Sequence, residues 1–348
     1  TWPAALPMLE DALDLRWGIR VEGFAGTALE GTFHVVDPDH VQPLRRTGLE
    51  IPVHHSGLHV SDLDGDGDVE MLVASGSGVY ELARSGAGYA QTWMYPLDPG
   101  AGAIGAAFAA NVDGVAGREI FFSTGELVVE LDGVTRREVA RMDAPGGSHC
   151  LDLEVADLDG DGAAEVACLA VSGDYYSGVG AVLVLDAATL AVEWQTAPLG
   201  TGSALAVGNV DADAALEIVT SGGYVFDGVT QLNEWAAPDP FGDVVDTGDL
   251  DGNGVEEIVA TLAWDSLRAF SAVSKAPLWE VPKSDTAAVL AADLDADGKA
   301  ELVVGDGQWG NVTVYDPASA ASAPPVLWSI SSQESSVSAI AAGDVDGD

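Results

Sequence analysis

Residues 62–70 read DLDGDGDVE, with five carboxylates and two glycines in nine positions. The same stretch returns six more times: NVDGVAGRE from Asn111, DLDGDGAAE from Asp157, NVDADAALE from Asn209, DLDGNGVEE from Asp249, DLDADGKAE from Asp293 and DVDGD from Asp344, where the sequence ends. The starts are 49, 46, 52, 40, 44 and 51 residues apart. That spacing is too long for a heptad and suits one supersecondary unit per copy. A fold for this chain must therefore place seven similar acidic turns at equivalent points.

The flanking residues say what the unit is. Small apolar residues precede each turn, as in AAFAA, ALAVG and AVLAA. A β-branched or apolar run follows the six complete copies, as in EMLVAS, EIFFST and EIVATL. A third apolar run comes next (GVYEL, AVLVLDA, VTVYDP), and a fourth often carries tryptophan: Trp93, Trp194, Trp235, Trp279 and Trp328. Gly, Pro and Asp punctuate these runs, which are strands by composition. Four short strands per 40–50 residues is the pattern of a β-propeller blade. Small residues suit the crowded innermost strand, and tryptophan fills the wide outer gaps.

The expected fold is all-β: a seven-bladed β-propeller of four-stranded antiparallel blades, each acidic loop joining the first strand to the second. Residues 1–16 are read as an N-terminal extension and 17–348 as one propeller. TFHVVDPDH (32–40) resembles VTVYDPASA (312–320). Residues 17–50 are therefore expected to supply the later strands of a last blade that starts with SSVSAIAAGD (335–344), closing the ring without an exposed sheet edge.

Charge narrows the partners. The chain has 56 acidic and 13 basic residues, a net charge of −43. Nucleic acid and anionic membranes both require a basic surface, and no apolar run is long enough for membrane insertion. Cation binding and a solvated acidic surface are the two readings left. A binding role clusters acids at fixed spacing, as here. The two cysteines, Cys150 and Cys168, flank one turn; they could form a bridge or sit as two small buried hydrophobes.

Within the turn, acids or amides stand at positions one, three and five and an acid at nine. Position seven varies (Asp68, Ala163, Ala215, Val255, Lys299), so it can offer only its carbonyl. Calcium takes six to eight hard oxygen ligands, and this set supplies most of them. Two carboxylates about 5 Å apart repel by roughly 3 kcal/mol at an effective dielectric of 20, so a turn this acidic calls for a counter-ion. Magnesium demands stricter geometry. Zinc prefers His and Cys, which the turns lack. An EF-hand needs its bidentate Glu at position twelve, where the first copy has Val73.

DLDGDGxxE between an apolar strand and E-[IVL]-[VL] resembles the FG-GAP/VCBS-type repeat, the calcium-bearing propeller blade also found in integrin α-subunits. The resemblance covers residues 30–348. It implies side-chain ligands at positions one, three, five and nine and a carbonyl ligand at seven. Those are Asp62, Asp64, Asp66, Asp68 and Glu70; Asp157, Asp159, Asp161, Ala163 and Glu165; Asn209, Asp211, Asp213, Ala215 and Glu217; Asp249, Asp251, Asn253, Val255 and Glu257; Asp293, Asp295, Asp297, Lys299 and Glu301. The second copy departs, with Val115 at position five and Arg118 beside Glu119. That site is expected to lack an ion, Arg118 standing in for its charge. The last copy offers Asp344, Asp346 and Asp348. About five calcium sites are expected, possibly six.

Other polar residues recur on the first strands. His59, Glu154 and Asp246 each lie three residues before a turn, and Asp152 shares a strand face with Glu154. His54 and His149 lie eight before their turns, with His55 adjacent. These are either buried polar groups satisfied by neighbouring blades or a cluster at the channel able to do acid–base work. Tyr175 and Tyr176 sit in a Gly-Tyr insertion at 172–180, a loop suited to recognition. No nucleophile elbow, phosphate loop or dinucleotide fingerprint occurs.

Three functions fit. One is a non-catalytic calcium-binding module that recognises a protein or glycan at the cell exterior. A second is a carbohydrate lyase or dehydratase working from the channel. A third is a subunit of a surface or filament assembly. Weak calcium loops of this kind work only outside the cytosol. A secreted, surface or periplasmic location is therefore expected, with any export signal already removed.

Overall fold

The computed structural model describes residues 33–37, 40–47, 55–75, 78–85, 88–97, 104–125, 127–172, 179–200, 202–211, 213–283, 285–317, 323–331 and 336–343. A first hairpin pairs β1 (Phe33–Asp37) with β2 (His40–Thr47). Six four-stranded antiparallel sheets follow, each with its strands in chain order. Blade 1 is β3 (Leu58–Ser61), β4 (Glu70–Ser75), β5 (Gly78–Ser85) and β6 (Gly88–Pro96). Blade 2 is β7 (Ile104–Ala110), β8 (Glu119–Thr124), β9 (Leu127–Leu131) and β10 (Glu138–Asp143). Blade 3 is β11 (His149–Ala156), β12 (Glu165–Ser172), β13 (Val179–Asp186) and β14 (Val192–Gln195). Blade 4 is β15 (Leu205–Gly208), β16 (Glu217–Thr220), β17 (Tyr224–Asp227) and β18 (Asn233–Ala236). Blade 5 is β19 (Val244–Gly248), β20 (Glu257–Leu262), β21 (Ser266–Ser271) and β22 (Ala276–Pro282). Blade 6 is β23 (Thr286–Ala292), β24 (Glu301–Asp306), β25 (Asn311–Tyr315) and β26 (Val326–Ser331).

The fold is a six-bladed β-propeller, which corrects the expected seven. Counting acidic turns counted loops, not completed sheets. Among the described residues, 336–343 form no strand, although they follow the pattern of an innermost one. They lie between blades 6 and 1: the Val337 N–H donates to the Asp306 carbonyl at 2.8 Å, and Gly343 abuts Val60. β1 and β2 pair with each other as a two-stranded sheet, so among the described residues no four-stranded closing blade is built from the two ends. The expected N-terminal extension, residues 1–16, lies outside the described residues.

Burial explains the strand composition. β4, β8, β16 and β24 are buried along their whole length: β8 and β16 lie between two blades, and β24 lies between blade 5 and the segment of Val337 and Ile340. Such strands read as continuous apolar runs, not as alternation. The core is accordingly divided into clusters between blades. Leu63, Leu72 and Val79 of blade 1 pack with Ile120, Phe122 and Leu131 of blade 2, and Leu250 and Val259 of blade 5 pack with Leu302 and Val304 of blade 6. Innermost strands crowd as expected. A Cβ on Gly248 would come within 2.7 Å of the Ala291 Cβ on the next blade. Trp93, Trp194, Trp235, Trp279 and Trp328 all fall on fourth strands. Cys150 and Cys168 are joined in a disulfide between β11 and β12, with Cα atoms 5.8 Å apart.

Candidate metal centre

Each loop between a first and second strand is shaped by its own acids. In blade 1, Asp62 accepts hydrogen bonds from the backbone N–H groups of Gly65 (2.7 Å), Asp66 (3.1 Å) and Gly67 (3.0 Å). Asp64 accepts from Asp66 N–H at 3.1 Å, and Asp66 from Asp68 N–H at 2.8 Å. Gly65 and Gly67 have φ of 80° and 95°, which L side chains rarely adopt. The full set recurs in blade 5 around Asp249, Asp251 and Asn253, and all but one of the bonds recur in blade 3 around Asp157, Asp159 and Asp161 and in blade 6 around Asp293, Asp295 and Asp297. In blade 4, Asn209 instead donates its amide to the Asp213 carbonyl at 3.0 Å.

The position-nine glutamate is a strut. Glu70, Glu119, Glu165, Glu217, Glu257 and Glu301 each accept the position-two backbone N–H at 2.7–3.1 Å, from Leu63, Val112, Leu158, Val210, Leu250 and Leu294 respectively. All six are buried. Burial, with the loop's own carboxylates adding to it, pushes Glu70, Glu165 and Glu257 up to about 7 and Glu217 to about 8, while the N–H bond works the other way. These acids favour a proton or a cation over bare charge.

Oxygens of Asp62, Asp64 and Asp66 lie within 4.8 Å of one another, as do those of Asp157, Asp159 and Glu165, of Asp211, Asp213 and Glu217, and of Asp249, Asp251 and Glu257. The donors are oxygen alone and converge from one short loop, so the residues fit a hard divalent cation of calcium type. Ala163, Ala215, Val255 and Lys299 at position seven use their N–H on the position-five side chain. Asp344, Asp346 and Asp348 lie outside the described residues.

Blade 2 keeps the loop without the ligand set. Val115 has no side-chain oxygen, and Asn111 gives its amide to the Val115 carbonyl at 2.5 Å. Arg118 does not fill this loop, as the sequence suggested. Its Nε–H donates to the Asp62 carbonyl of blade 1 at 3.2 Å. Arg136 also faces blade 1, pairing with the Glu81 carboxylate at 2.7 Å.

The loops are tied to one another. The position-eight N–H of one blade donates to a position-one or position-two carbonyl of the blade before it: Arg118 to Leu63 (2.9 Å), Leu216 to Leu158 (3.1 Å), Glu256 to Asn209 (2.8 Å) and Ala300 to Asp249 (2.8 Å).

The first-strand acids turn out to be stitches between blades. Asp152 accepts the Leu205 N–H at 2.9 Å and Glu154 the Val207 N–H at 3.0 Å, both from blade 3 to blade 4. Asp246 accepts the Ala291 N–H of blade 6 at 2.8 Å. They occupy donors on the free edges of inner strands. Burial, with Asp246 and Asp152 nearby, pushes Glu154 well up; burial raises Asp246 to about 7. Both side chains keep some open surface while being packed round by protein. His55 reaches Asp152 at 3.1 Å. His59 packs on Phe108 with ring centres 4.4 Å apart, and burial, aided by the Arg118 charge, lowers it to about 4. His149 is exposed at the start of β11. The structure thus brings Asp152, Glu154 and Asp246 into one electrostatic group and leaves His59 and His149 apart from it. His54, Tyr175 and Tyr176 lie outside the described residues.

The sequence reading missed Asp227 and Glu234, which join Glu217 in a further group of oxygens within 4.8 Å. Their signal is D-x6-E-W, present as Asp186…Glu193-Trp194 and Asp227…Glu234-Trp235.

The fold has counterparts among solved structures. Two crystal structures of BBS1N in complex with ARL6DN, soaked with lead and with mercury, match with TM-scores of 0.61 at 15% and 14% identity, over 88% and 90% of this chain and 89% of that chain in both. BamB from Moraxella catarrhalis matches at TM-score 0.48 and 18% identity, over 81% of this chain and 75% of that one. At such identities the likeness concerns fold alone. No family model matches the chain, and no curated protein does.

Proposed function

We propose that this chain is a calcium-loaded propeller of FG-GAP/VCBS type that works outside the cell as a non-catalytic docking module for a protein partner. The observation that carries the reading is the recurrence of one oxygen-only loop, built by the same side-chain-to-backbone bonds, in blade after blade. Five loops, in blades 1, 3, 4, 5 and 6, have the ligand positions filled. The disulfide between Cys150 and Cys168 is in keeping with an oxidising compartment. Asp152, Glu154 and Asp246 are committed to main-chain donors of neighbouring blades, which favours stitching over acid–base work.

Support for protein docking comes from the opposite end of the blades. Trp264 and Trp309, on the second-to-third turns of blades 5 and 6, are 58% and 54% exposed and meet edge to face, 6.2 Å apart. Acids hold both turns rigid: Asp243 accepts the Ala263 N–H at 2.8 Å, and Asp285 accepts the Trp309 N–H at 3.0 Å. Rigid exposed aromatics are the usual anchors of protein interfaces. The BBS1N propeller, of the same fold, is seen in complex with ARL6DN.

Calcium titration calorimetry on the full chain tests the first half. About five ions should bind with affinities of roughly 10⁻⁴–10⁻³ M; absence of calcium binding at millimolar concentration rejects it. For the second half, W264A/W309A should abolish saturable capture of the partner by the immobilised protein while leaving the calcium count intact. Unchanged capture would move the docking face elsewhere.

A further inference from the structure

Blade 4 carries acids that neither the loop pattern nor the inter-blade stitching uses. Asp227 ends β17, opposite Glu217 in the sheet register. Glu234 stands on β18, one residue before Trp235. Three adjacent strands thus each contribute one carboxylate, and oxygens from all three lie within 4.8 Å of one another. Glu217 therefore belongs to two groups, Asp211–Asp213–Glu217 in the loop and Glu217–Asp227–Glu234 across the sheet.

A second observation sets this group apart from an ordinary acidic patch. Glu217 is 0% exposed, and its Oε2 accepts the Val210 N–H at 2.7 Å. Its Oε1 is buried with no hydrogen-bond partner. Among the described residues, no other position-nine glutamate has an oxygen stranded in this way. Asp227 is 2% exposed and accepts the Thr230 N–H. A buried carboxylate oxygen beside two more acids needs a positive partner. Lys275, whose ammonium donates to the Glu234 main-chain carbonyl at 2.6 Å, acts on Glu234 but makes no bond to the stranded Glu217 oxygen. The Glu234 carboxyl meets that of Asp211, which joins the two groups. A cleft lined by Asp211, Val225, Glu234, Trp235, Ala272 and Lys275 opens on this edge.

We propose that Glu217 is shared between two hard divalent cations, the loop ion and a second one held by Asp227 and Glu234, so that blade 4 carries a paired calcium site. The donors are again oxygen only, which suits calcium and not zinc. This inference rests on the calcium reading of the loops, because the pair includes the loop ion. Glu217 would supply one oxygen to each ion, giving Oε1 the partner it lacks.

Crystals of the full chain soaked in manganese chloride, with anomalous difference maps, test it. Blade 4 should show two peaks about 4 Å apart, and the other ligand-complete loops one each. E234Q and D227N, which keep the shape of the side chains, should lose the peak beside Asp227 and keep the one beside Asp211 and Asp213. In calorimetry with calcium, each variant should bind one ion fewer than the parent chain. A single blade 4 peak beside Asp211, with loop peaks elsewhere, overturns the pair and leaves the loop reading standing. Absence of peaks in every loop overturns both. Equal ion counts in E234Q, D227N and the parent also reject the second ion.

Discussion

The loops of blades 2 and 5 share a bracing plan and differ both in backbone detail and in chemistry. Both place two glycines in the left-handed region, at positions four and seven in blade 2 (Gly114, Gly117) and at positions four and six in blade 5 (Gly252, Gly254). Both brace the turn with a position-nine glutamate on the position-two N–H. Blade 5 then gathers oxygens from Asp249, Asp251 and Glu257 within 4.8 Å. Blade 2 has Val115 where the third side-chain oxygen would stand, and its basic residues turn toward blade 1. Loop shape and ligand set are therefore separately encoded. Glycine, Asx-type bonds and the strut build the turn, and ion binding is a further requirement laid on top.

That separation can be broken in several ways. The largest effect is expected from removing all divalent ions. At 10 mM calcium, sites with affinities of 10⁻⁴–10⁻³ M each contribute about 1.4–2.7 kcal/mol. Chelation at low salt should therefore lower the melting temperature by ten degrees or more in calorimetry, and an unchanged transition would sink the ion-locked reading. Next comes D249A. It removes the acceptor for three backbone N–H groups as well as a ligand, so it should cost about 3 kcal/mol and one calcium ion. N111A, which removes the Gly114 acceptor in blade 2, should cost about 1 kcal/mol and leave the ion count unchanged.

A pH effect of intermediate size is expected away from the loops. Asp246 is raised to about 7, so the folded state holds its proton more tightly than the unfolded chain does. Its contribution is present in full below about pH 4 and is lost as pH rises through about 7. In chelator, denaturant unfolding should show stability falling between pH 5 and 8, with the raised loop glutamates contributing and Asp246 supplying about 2 kcal/mol of the fall, after allowance for its partial contact with water. D246N should reduce that fall by the Asp246 share, and a fall left intact would assign all of it to the other raised carboxyls. One further change is a gain. V115D gives blade 2 the same ligand types as blade 4: Asn, Asp, Asp and Glu. It should add one calcium ion and about 1.4 kcal/mol at tenfold excess over its affinity. No added ion would mean that the two loops differ in more than position five.

The same separation explains what could be read in advance. Strand order within a blade, the position of each loop and the outer tryptophans followed from local composition, because every blade solves the same packing problem. The number of blades did not. A completed sheet depends on pairing between distant segments, and the small apolar run at 336–343 carries the composition of an inner strand without the paired neighbours that would make it one. The first-strand acids Asp152, Glu154 and Asp246 were visible as polar exceptions. Their role as caps on the next blade's N–H groups depends on how closely the inner strands approach, which no single strand encodes. Asp227 and Glu234 come from strands three and four, outside the nine-residue turn, so the repeat of that turn does not point to them.

The main-chain bonds from Arg118 to Leu63, Leu216 to Leu158, Glu256 to Asn209 and Ala300 to Asp249 all run the same way round the ring. The turns of blades 2, 4, 5 and 6 each lean on the turn before, while among the described residues no such bond joins the blade 3 turn to blade 2. Emptying one blade should therefore slacken the anchor of the blade that follows it more than that of the blade before. The ring has a sense of rotation for damage, and loosening should spread toward the carboxyl end.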